Sequence, residues 1–393
     1  MHQVCSVSVG LLTAQSRSEL LSRRFDGDTG ALASQMNRAA ACVALCDFLV
    51  SPSAGALSDR IGRRPLMIAA CAVAVPFKAM AAIRPTASIL FMERVFCDAM
   101  RTVGGTTMAY ACLSDLHTGD AYTQALTRLS GATGTAIVIA PLVAAWLDRR
   151  GPRFTFAVAA LLSSVQFVLS WALLKETHIK RGRPCEQPAS LVRPVWHCIR
   201  LFTSGARLRV RTCLFTLHCF LEGKVLQEQV AIMQLAAGWG PLLRSRWSAG
   251  LGAVMLAGSK VAGFLLRCCG EHGFLALCHA ASFGAFATIW QSAFWSGLGF
   301  LSLGQQRRSA SISWVITAAR QNGVGHGEVI GWTASLRAVV DFFAALAYGV
   351  AHRVAGQRGR PNDVMYLPLV VTLLAEFVRL YLLKGRCVDK QVR

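Results

Sequence analysis

The sequence predicts an all-α fold, that of a polytopic helical membrane protein. Hydrophobic residues make up 54% of the chain and charged residues only 16%, and the mean hydropathy is +0.44. A soluble chain of 393 residues would divide into about two or three domains, each with a charged surface that this composition cannot supply. The same apolar content excludes a disordered chain.

Long apolar runs recur along the chain and predict about eleven membrane-spanning helices, because a bilayer core is crossed by about 20 helical residues. The clearest runs, such as Leu129–Leu147 and Phe154–Leu174, contain no formal charge, whereas others hold several ionisable groups. The predicted spans are 39–57, 65–83, 86–113, 129–147, 154–174, 212–235, 247–266, 274–290, 293–318, 330–351 and 364–383.

The basic excess is explained by membrane topology. The chain has 41 Lys and Arg against 20 Asp and Glu, for a net charge of +21, and most of these cations lie between the apolar runs. If the Asp59–Arg64 loop is cytoplasmic, the inner loops carry most of the loop Lys and Arg, as the positive-inside rule expects, although Asp148–Arg153 does not follow the rule. The predicted partner is therefore the lipid bilayer and not a nucleic acid.

A basic, proline-containing segment divides the chain into two helical halves. Part of this linker, Val195–Phe202, is alternatively an amphipathic segment on the membrane surface. At the N-terminus, Val4–Leu12 is apolar but is soon followed by Arg17, so this region is expected to be too short to span. The predicted divisions are residues 1–29 as an N-terminal remnant, 30–176 as the N-terminal half, 177–211 as a cytoplasmic linker, 212–385 as the C-terminal half and 386–393 as a cytoplasmic tail.

The loop after the first predicted span has a distinctive order of glycines, acid and bases. Its residues Gly55, Leu57, Asp59, Arg60, Gly62, Arg63 and Arg64 form the pattern G-x-L-x-D-R-x-G-R-R. Glycine permits close helix packing and tight turns, and the arginines anchor the cytoplasmic face. This pattern strongly resembles the signature of the major facilitator superfamily, specifically its drug/proton antiporter or tetracycline-resistance-like branch.

Further segments are similar to other motifs of that family. Ala140, Pro141, Ala144 and Ala145 occupy the G-P and G-G positions of its fifth-helix antiporter motif, with alanine in place of glycine. Asp115 ends the helix that resembles the family's fourth, and the resemblance suggests that Arg60 and Asp115 form a gating pair across the cytoplasmic face.

The resemblance implies two pseudo-symmetric six-helix halves, a central solute cavity and alternating access. The first helix of the family is apparently missing. Either the true start lies upstream of residue 1, or this chain has lost that helix.

Ionisable residues inside the spans are candidates for a solute or ion pathway, because charge is costly in a membrane. Asp47 is either a proton- or cation-coupled site or a polar contact between helices. Arg94, Asp98 and Arg101 share one helix face and either bind an anionic group, with Asp98 exchanging protons, or brace the helix. The full set is Asp47, Arg94, Asp98, Arg101, Lys260, Arg337 and Asp341, while Glu376 and Arg379 are expected to be structural.

Polar residues interrupt two predicted spans. Glu222, Lys224 and Glu228 lie within 212–235, and Gln305 to Arg308 lie within 293–318. Either these interruptions line a cavity, or the helices begin and end at other residues.

No cofactor, metal site or catalytic residue is predicted, and we do not expect an enzyme. The cysteines and histidines lack zinc-ligand spacing, and no phosphate-binding glycine-rich loop occurs. The predicted function is secondary active or facilitative transport of a small organic solute, alone or with a proton, by a monomer. The alternative is a transport-inactive, transporter-like receptor or scaffold.

Overall fold

The computed structural model describes residues 2–101, 104–105, 107–116, 119–177, 193–222, 224–321 and 326–391. This part of the chain is helical without strands, which confirms the predicted fold class. The helices are α1 His2–Arg24, α2 Thr29–Ile61, α3 Arg63–Ile83, α4 Ala87–Arg101, α5 Thr107–Leu116, α6 Gly119–Asp148, α7 Pro152–Leu173, α8 Arg193–Thr203, α9 Ala206–Phe220, α10 Lys224–Ala236, α11 Pro241–Trp290, α12 Phe294–Gly304, α13 Arg307–Gln321, α14 His326–Gln357 and, after a 3-10 helix Pro361–Met365, α15 Tyr366–Gln391.

The helices form two compact units. Unit 1 comprises Met1–Leu191 together with Gly238–Gly252, and unit 2 comprises Val192–Ala237 together with Ala253–Arg393. The sequence had assigned 238–252 to the C-terminal half. These residues group with unit 1 because the start of α11 forms hydrogen bonds with α1.

Arg244 of α11 makes the main contact of that segment with α1. Its guanidinium donates to Glu19 at 2.6 Å and to Ser18 at 2.9 Å, and it is almost completely buried. Ser245 and Ser248 both bond to Gln15 in the neighbouring turn of α1. Such contacts join residues more than 200 positions apart, so local sequence patterns do not predict them.

Among the described residues, five helical segments have the length and hydropathy to cross a membrane. They are Arg63–Ile83, Pro152–Leu173, Lys260–Trp290, Trp332–Gln357 and Pro361–Leu383. Each of the predicted spans nevertheless overlaps helix in the structure.

Three predicted spans each correspond to parts of two helices. Residues 86–113 form parts of α4 and α5, residues 212–235 parts of α9 and α10, and residues 293–318 parts of α12 and α13. The last two divisions occur at the polar interruptions noted in the sequence. By contrast, two separate predicted spans lie within α11, which bends at Gly270, where φ is 66°.

The predicted linker contains a helix, α8, that belongs to unit 2. Leu201 is fully buried in a cluster with Leu208 and Trp332, whereas Trp196 and Ile199 are exposed. This amphipathic pattern supports the alternative interpretation of Val195–Phe202 as a surface segment. Residues 178–192 of the predicted linker lie outside the described part of the chain.

The structure has a helix where the sequence analysis expected only a remnant. Helix α1 contains 23 residues and is therefore about 35 Å long. Hydropathy misses it because its polar side chains Thr13, Ser16, Arg17 and Ser18 are all buried inside unit 1. In the sequence these polar residues look like the end of an apolar run. In the structure, their hydrogen-bond partners lie on neighbouring helices.

The fifth-helix motif provides the surface on which α1 packs. Ala140 and Ala144 of α6 form a buried cluster with Leu12 of α1, together with Leu147. Ala145 is buried beside them, and Pro141 lies inside the helix. Small side chains permit this close approach of two helices.

We predict that Ala144→Leu lowers the free energy of unfolding by about 1–3 kcal/mol, because the larger side chain pushes α1 away from α6. The measurement is the unfolding midpoint of the purified protein in detergent. Val143→Leu is the matched control, since Val143 is exposed on the same helix and should tolerate the change. Equal midpoints for the two variants would contradict the contact between α1 and α6.

Candidate functional site

A narrow cleft with about 30 Å³ of free space lies within unit 1 between α1, α3, α4 and α7. Its polar lining includes His2, Lys78, Asp98, Arg101 and Gln166, each from one of these four helices. Apolar and small side chains complete the wall. A few convergent polar groups in an otherwise apolar cleft are typical of small-molecule sites.

A buried ionic cluster reaches the cleft through Lys78. The fully buried carboxylate of Glu93 on α4 accepts from Arg17 of α1 at 2.7 Å and from Lys78 of α3 at 2.9 Å. Lys78 also donates to Thr13 at 3.4 Å. One carboxylate therefore pairs with two cations and joins three helices.

Asp98 and Arg101 form a second ion pair at the cleft, with Nη2 to Oδ1 at 2.7 Å. Both side chains are largely buried. The guanidinium of Arg101 lies directly over Gly10 of α1, where a Cβ atom would overlap Nη1. A larger residue at this position would require the Arg101 guanidinium to move.

The start of α1 is held against α7. The Nδ1 atom of His2 lies 2.9 Å from the Ser170 hydroxyl, and Gln166 donates to the His2 carbonyl at 3.1 Å. These contacts hold His2 and Gln166, which both line the cleft, against each other. The first turn of α1 is thereby part of the site, although the sequence assigned it no role.

The other predicted pathway residues lie apart from this cleft. Asp47 is half-buried on α2, Arg94 is almost fully buried on α4, and Lys260 is exposed on α11. None of the three lines the cleft. In unit 2, Arg337 and Asp341 of α14 form the predicted i, i+4 pair, with Nε to Oδ2 at 3.6 Å, on a partly exposed face.

The glycine-and-arginine loop joins α2 to α3. Arg63 pairs with Asp115 at 3.3 Å, whereas Arg60, the proposed partner of Asp115, has a side chain outside the described part of the structure. The same holds for the Asp59 side chain and for Gly55, while Leu57 is exposed.

Glu176, just after α7, caps the start of α3. Its two carboxylate oxygens accept from the backbone amides of Arg63 and Arg64 at 2.9 and 3.1 Å. A carboxylate at a helix N-terminus satisfies amides that have no partner within the helix. Gly62 has φ 104°, and a Cβ there would overlap Glu176, so both its backbone and its small size are needed.

The sequence analysis missed the roles of Arg17, Lys78 and Glu93. Lys78 lies within the predicted span 65–83, and charged residues at membrane depth require partners. That signal indicates that a carboxylate lies nearby but does not identify Glu93. Arg17 was taken for a residue that ends an apolar run.

A family model, the Major Facilitator Superfamily, matches residues 24–360. The chain belongs to this superfamily. It is an integral, multi-pass membrane protein, as predicted.

Related sequences match over part of their length. The tetracycline resistance protein, class C, of Escherichia coli is 31% identical over 144 residues, which are 37% of this chain and 36% of that protein. Multidrug resistance protein 1 of Bacillus subtilis is 28% identical over 142 residues, or 35% of each chain. The alignments thus span about a third of the length of these relatives.

Solved structures share the fold over nearly the whole chain. The nucleoside transporter NupG has a TM-score of 0.67 at 10% identity, covering 97% of this chain and 98% of its own. The human organic anion transporter MFSD10 has a TM-score of 0.64 at 18% identity, covering 96% and 99%. At these identities the likeness shows the fold alone.

We predict that Glu93→Gln lowers the free energy of unfolding by about 3–5 kcal/mol, because Arg17 and Lys78 would lose the carboxylate that neutralises them. Thermal unfolding in detergent measures the loss. Asp115→Asn is the control: it breaks the more exposed pair with Arg63 and should cost less than about 1 kcal/mol. A Glu93→Gln variant as stable as this control would show that the buried cluster contributes little.

Proposed function

We propose that the chain, acting as a monomer, transports a small organic solute with a negatively charged group by alternating access. The solute binds in the cleft of unit 1. The observation that carries the proposal is the charge balance of that cleft. Its ionic groups and their direct partners are three cations, Arg17, Lys78 and Arg101, and two carboxylates, Glu93 and Asp98.

The cations at the cleft favour an anionic ligand. Charge is costly in the low dielectric of the membrane interior, and an anion bound beside these cations lowers that cost. Membership of the major facilitator superfamily supports transport as the purpose of such binding.

Arg101 is the residue that would contact the anionic group. A guanidinium has five N–H donors, and the ion pair with Asp98 places it at the cleft. A carboxylate can accept two parallel hydrogen bonds from such a group. Asp98 therefore positions Arg101, while Gln166 and Ser163 offer neutral polar contacts on the opposite wall.

The receptor or scaffold alternative depended on a missing first helix and on the alanines of α6. Helix α1 packs against Ala140 and Ala144 and contributes to the cleft. This packing supports transport over the alternative.

The first experiment measures binding and uptake by the full chain in proteoliposomes. Tetracycline is the first probe, because a tetracycline resistance protein is among the relatives. Carboxyfluorescein and ethidium serve as an organic anion and an organic cation. The proposal expects uptake of the anion in preference to the cation, and the reverse preference would refute it.

We predict that Arg101→Gln weakens binding of the transported anion by about 10- to 100-fold, the value of a charge-assisted hydrogen bond. Equilibrium binding in detergent is the measurement. Arg337→Gln removes an arginine from a comparable pair in unit 2 and should leave binding unchanged. Equal losses in the two variants would show that Arg101 has no specific role.

We also predict that Gly10→Ala weakens the same binding, because the added methyl group displaces the guanidinium of Arg101. The expected loss is smaller than for Arg101→Gln, since the charge remains nearby. Gly263→Ala makes the same change in α11 at a position with no neighbour within 4 Å and is the matched control. Unaltered binding in Gly10→Ala would place the anion away from Arg101.

A further inference from the structure

In unit 2, three titratable side chains from three helices contact one another in a row. Nε2 of His218 on α9 lies 2.7 Å from Nε2 of His279 on α11. Nδ1 of His279 lies 2.7 Å from Oε2 of Glu376 on α15. The sequence analysis assigned Glu376 a structural role and gave the histidines none.

The geometry restricts where the protons lie. A carboxylate accepts hydrogen bonds, so Nδ1 of His279 carries a proton. The two Nε2 atoms share a single proton, because two N–H groups cannot point at each other at 2.7 Å. The histidine pair can therefore hold at most one proton beyond its neutral form.

The row of three side chains has a partly exposed end and a fully buried end. The Glu376 side chain is 31% exposed, His279 is 2% exposed, and His218 is fully buried. At the inner end, Nδ1 of His218 has no hydrogen-bond partner among the described residues, although the Arg307 main chain lies beside the ring.

Two arginines lie beside these three side chains. Arg379 pairs with Glu376 and also donates to the His272 carbonyl at 3.2 Å. Arg307 lies near both histidines. Other charged or titratable groups on the elements around α9 are Glu222, Glu271, Arg308, Arg337, Asp341 and Tyr348.

The inner end lies one turn from a break between helices. Helix α9 ends at Phe220, and Arg307, the first residue of α13, donates to the carbonyls of Leu221 and Gly304. Glu222 in this break pairs with Arg308 at 3.3 Å. Discontinuous helices form the substrate and coupling-ion sites of several secondary transporters.

We propose that Glu376, His279 and His218 form a proton relay that binds one proton within unit 2. A proton that binds Nδ1 of His218 is passed outward. The Nε2–H bond of His218 breaks as that of His279 forms, and the Nδ1–H bond of His279 breaks as an O–H bond forms on Glu376. The loaded relay carries one positive charge more than the empty one. Histidine is suited to such exchange near neutral pH.

The relay also has a place in the transport cycle, and this part of the inference rests on the proposed function. Loading and release of the proton change the charge beside Arg307, which bonds to the carbonyls at both helix breaks. A proton gradient would in this way bias the contacts of the broken helices.

Proton binding is tested without any solute. The full chain, with 15N-labelled histidine, is studied by NMR in detergent micelles between about pH 5 and 8. His218→Gln and His279→Gln identify the signals. We expect the two rings of the unaltered protein to take up one proton together, and His279→Gln to abolish protonation of His218.

Two further variants separate a relay from a structural pair. Glu376→Gln removes the carboxylate that stabilises the charged rings, so the shared proton should bind only in more acidic solution. His352→Gln removes another buried histidine of unit 2, and the relay should be unaffected. Folding of each variant is checked by size-exclusion chromatography. Neutral rings throughout the range, or one independent proton on each ring, would overturn the relay.

The coupling role is tested with the proteoliposomes described above. We expect His279→Gln to bind the anionic probe normally but to lose accumulation driven by a pH gradient. Unchanged accumulation would overturn coupling through the relay. If the NMR experiment shows the shared proton but the unaltered protein moves no probe, the proposed function fails and proton binding stands.

Discussion

The carboxylate of Glu93 lies within hydrogen-bond distance of both Arg17 and Lys78, so three helices of unit 1 share one ionic contact. Each cation would be very costly inside the bilayer without it. The cluster thus determines where α1, α3 and α4 meet, and the cleft lies beside that junction. The position of Arg101 over Gly10 follows from the same placement of α1.

The same cluster explains how a helix with many polar residues belongs to a membrane protein. The polar side chains of α1 face the other helices and find partners there, such as Asp148 for Ser16 at 2.7 Å. Hydropathy measures each residue as if it faced lipid. It therefore underestimates a helix whose polar face is buried in protein, and α1 is absent from the helices that qualify as spans.

Local patterns predicted the helices and the loop motif, since apolar length and the order of glycine and arginine are properties of adjacent residues. They also predicted the ion pairs that lie within one helix, such as Arg337 with Asp341. Contacts between residues from distant segments could not be predicted from these local patterns. Arg244 with Glu19, and His279 with Glu376, depend on how helices pack, and no periodicity records that.

The buried ionisable groups of the two units differ in kind, and this difference supports different roles for the two units. In unit 1 the cations of the cleft exceed the carboxylates, which leaves a fixed charge for an anion to neutralise. In unit 2 the proposed relay would change its charge by binding one proton, while Glu376 is already paired with Arg379. A fixed charge selects a ligand, whereas a variable charge responds to a gradient, and coupled transport needs both.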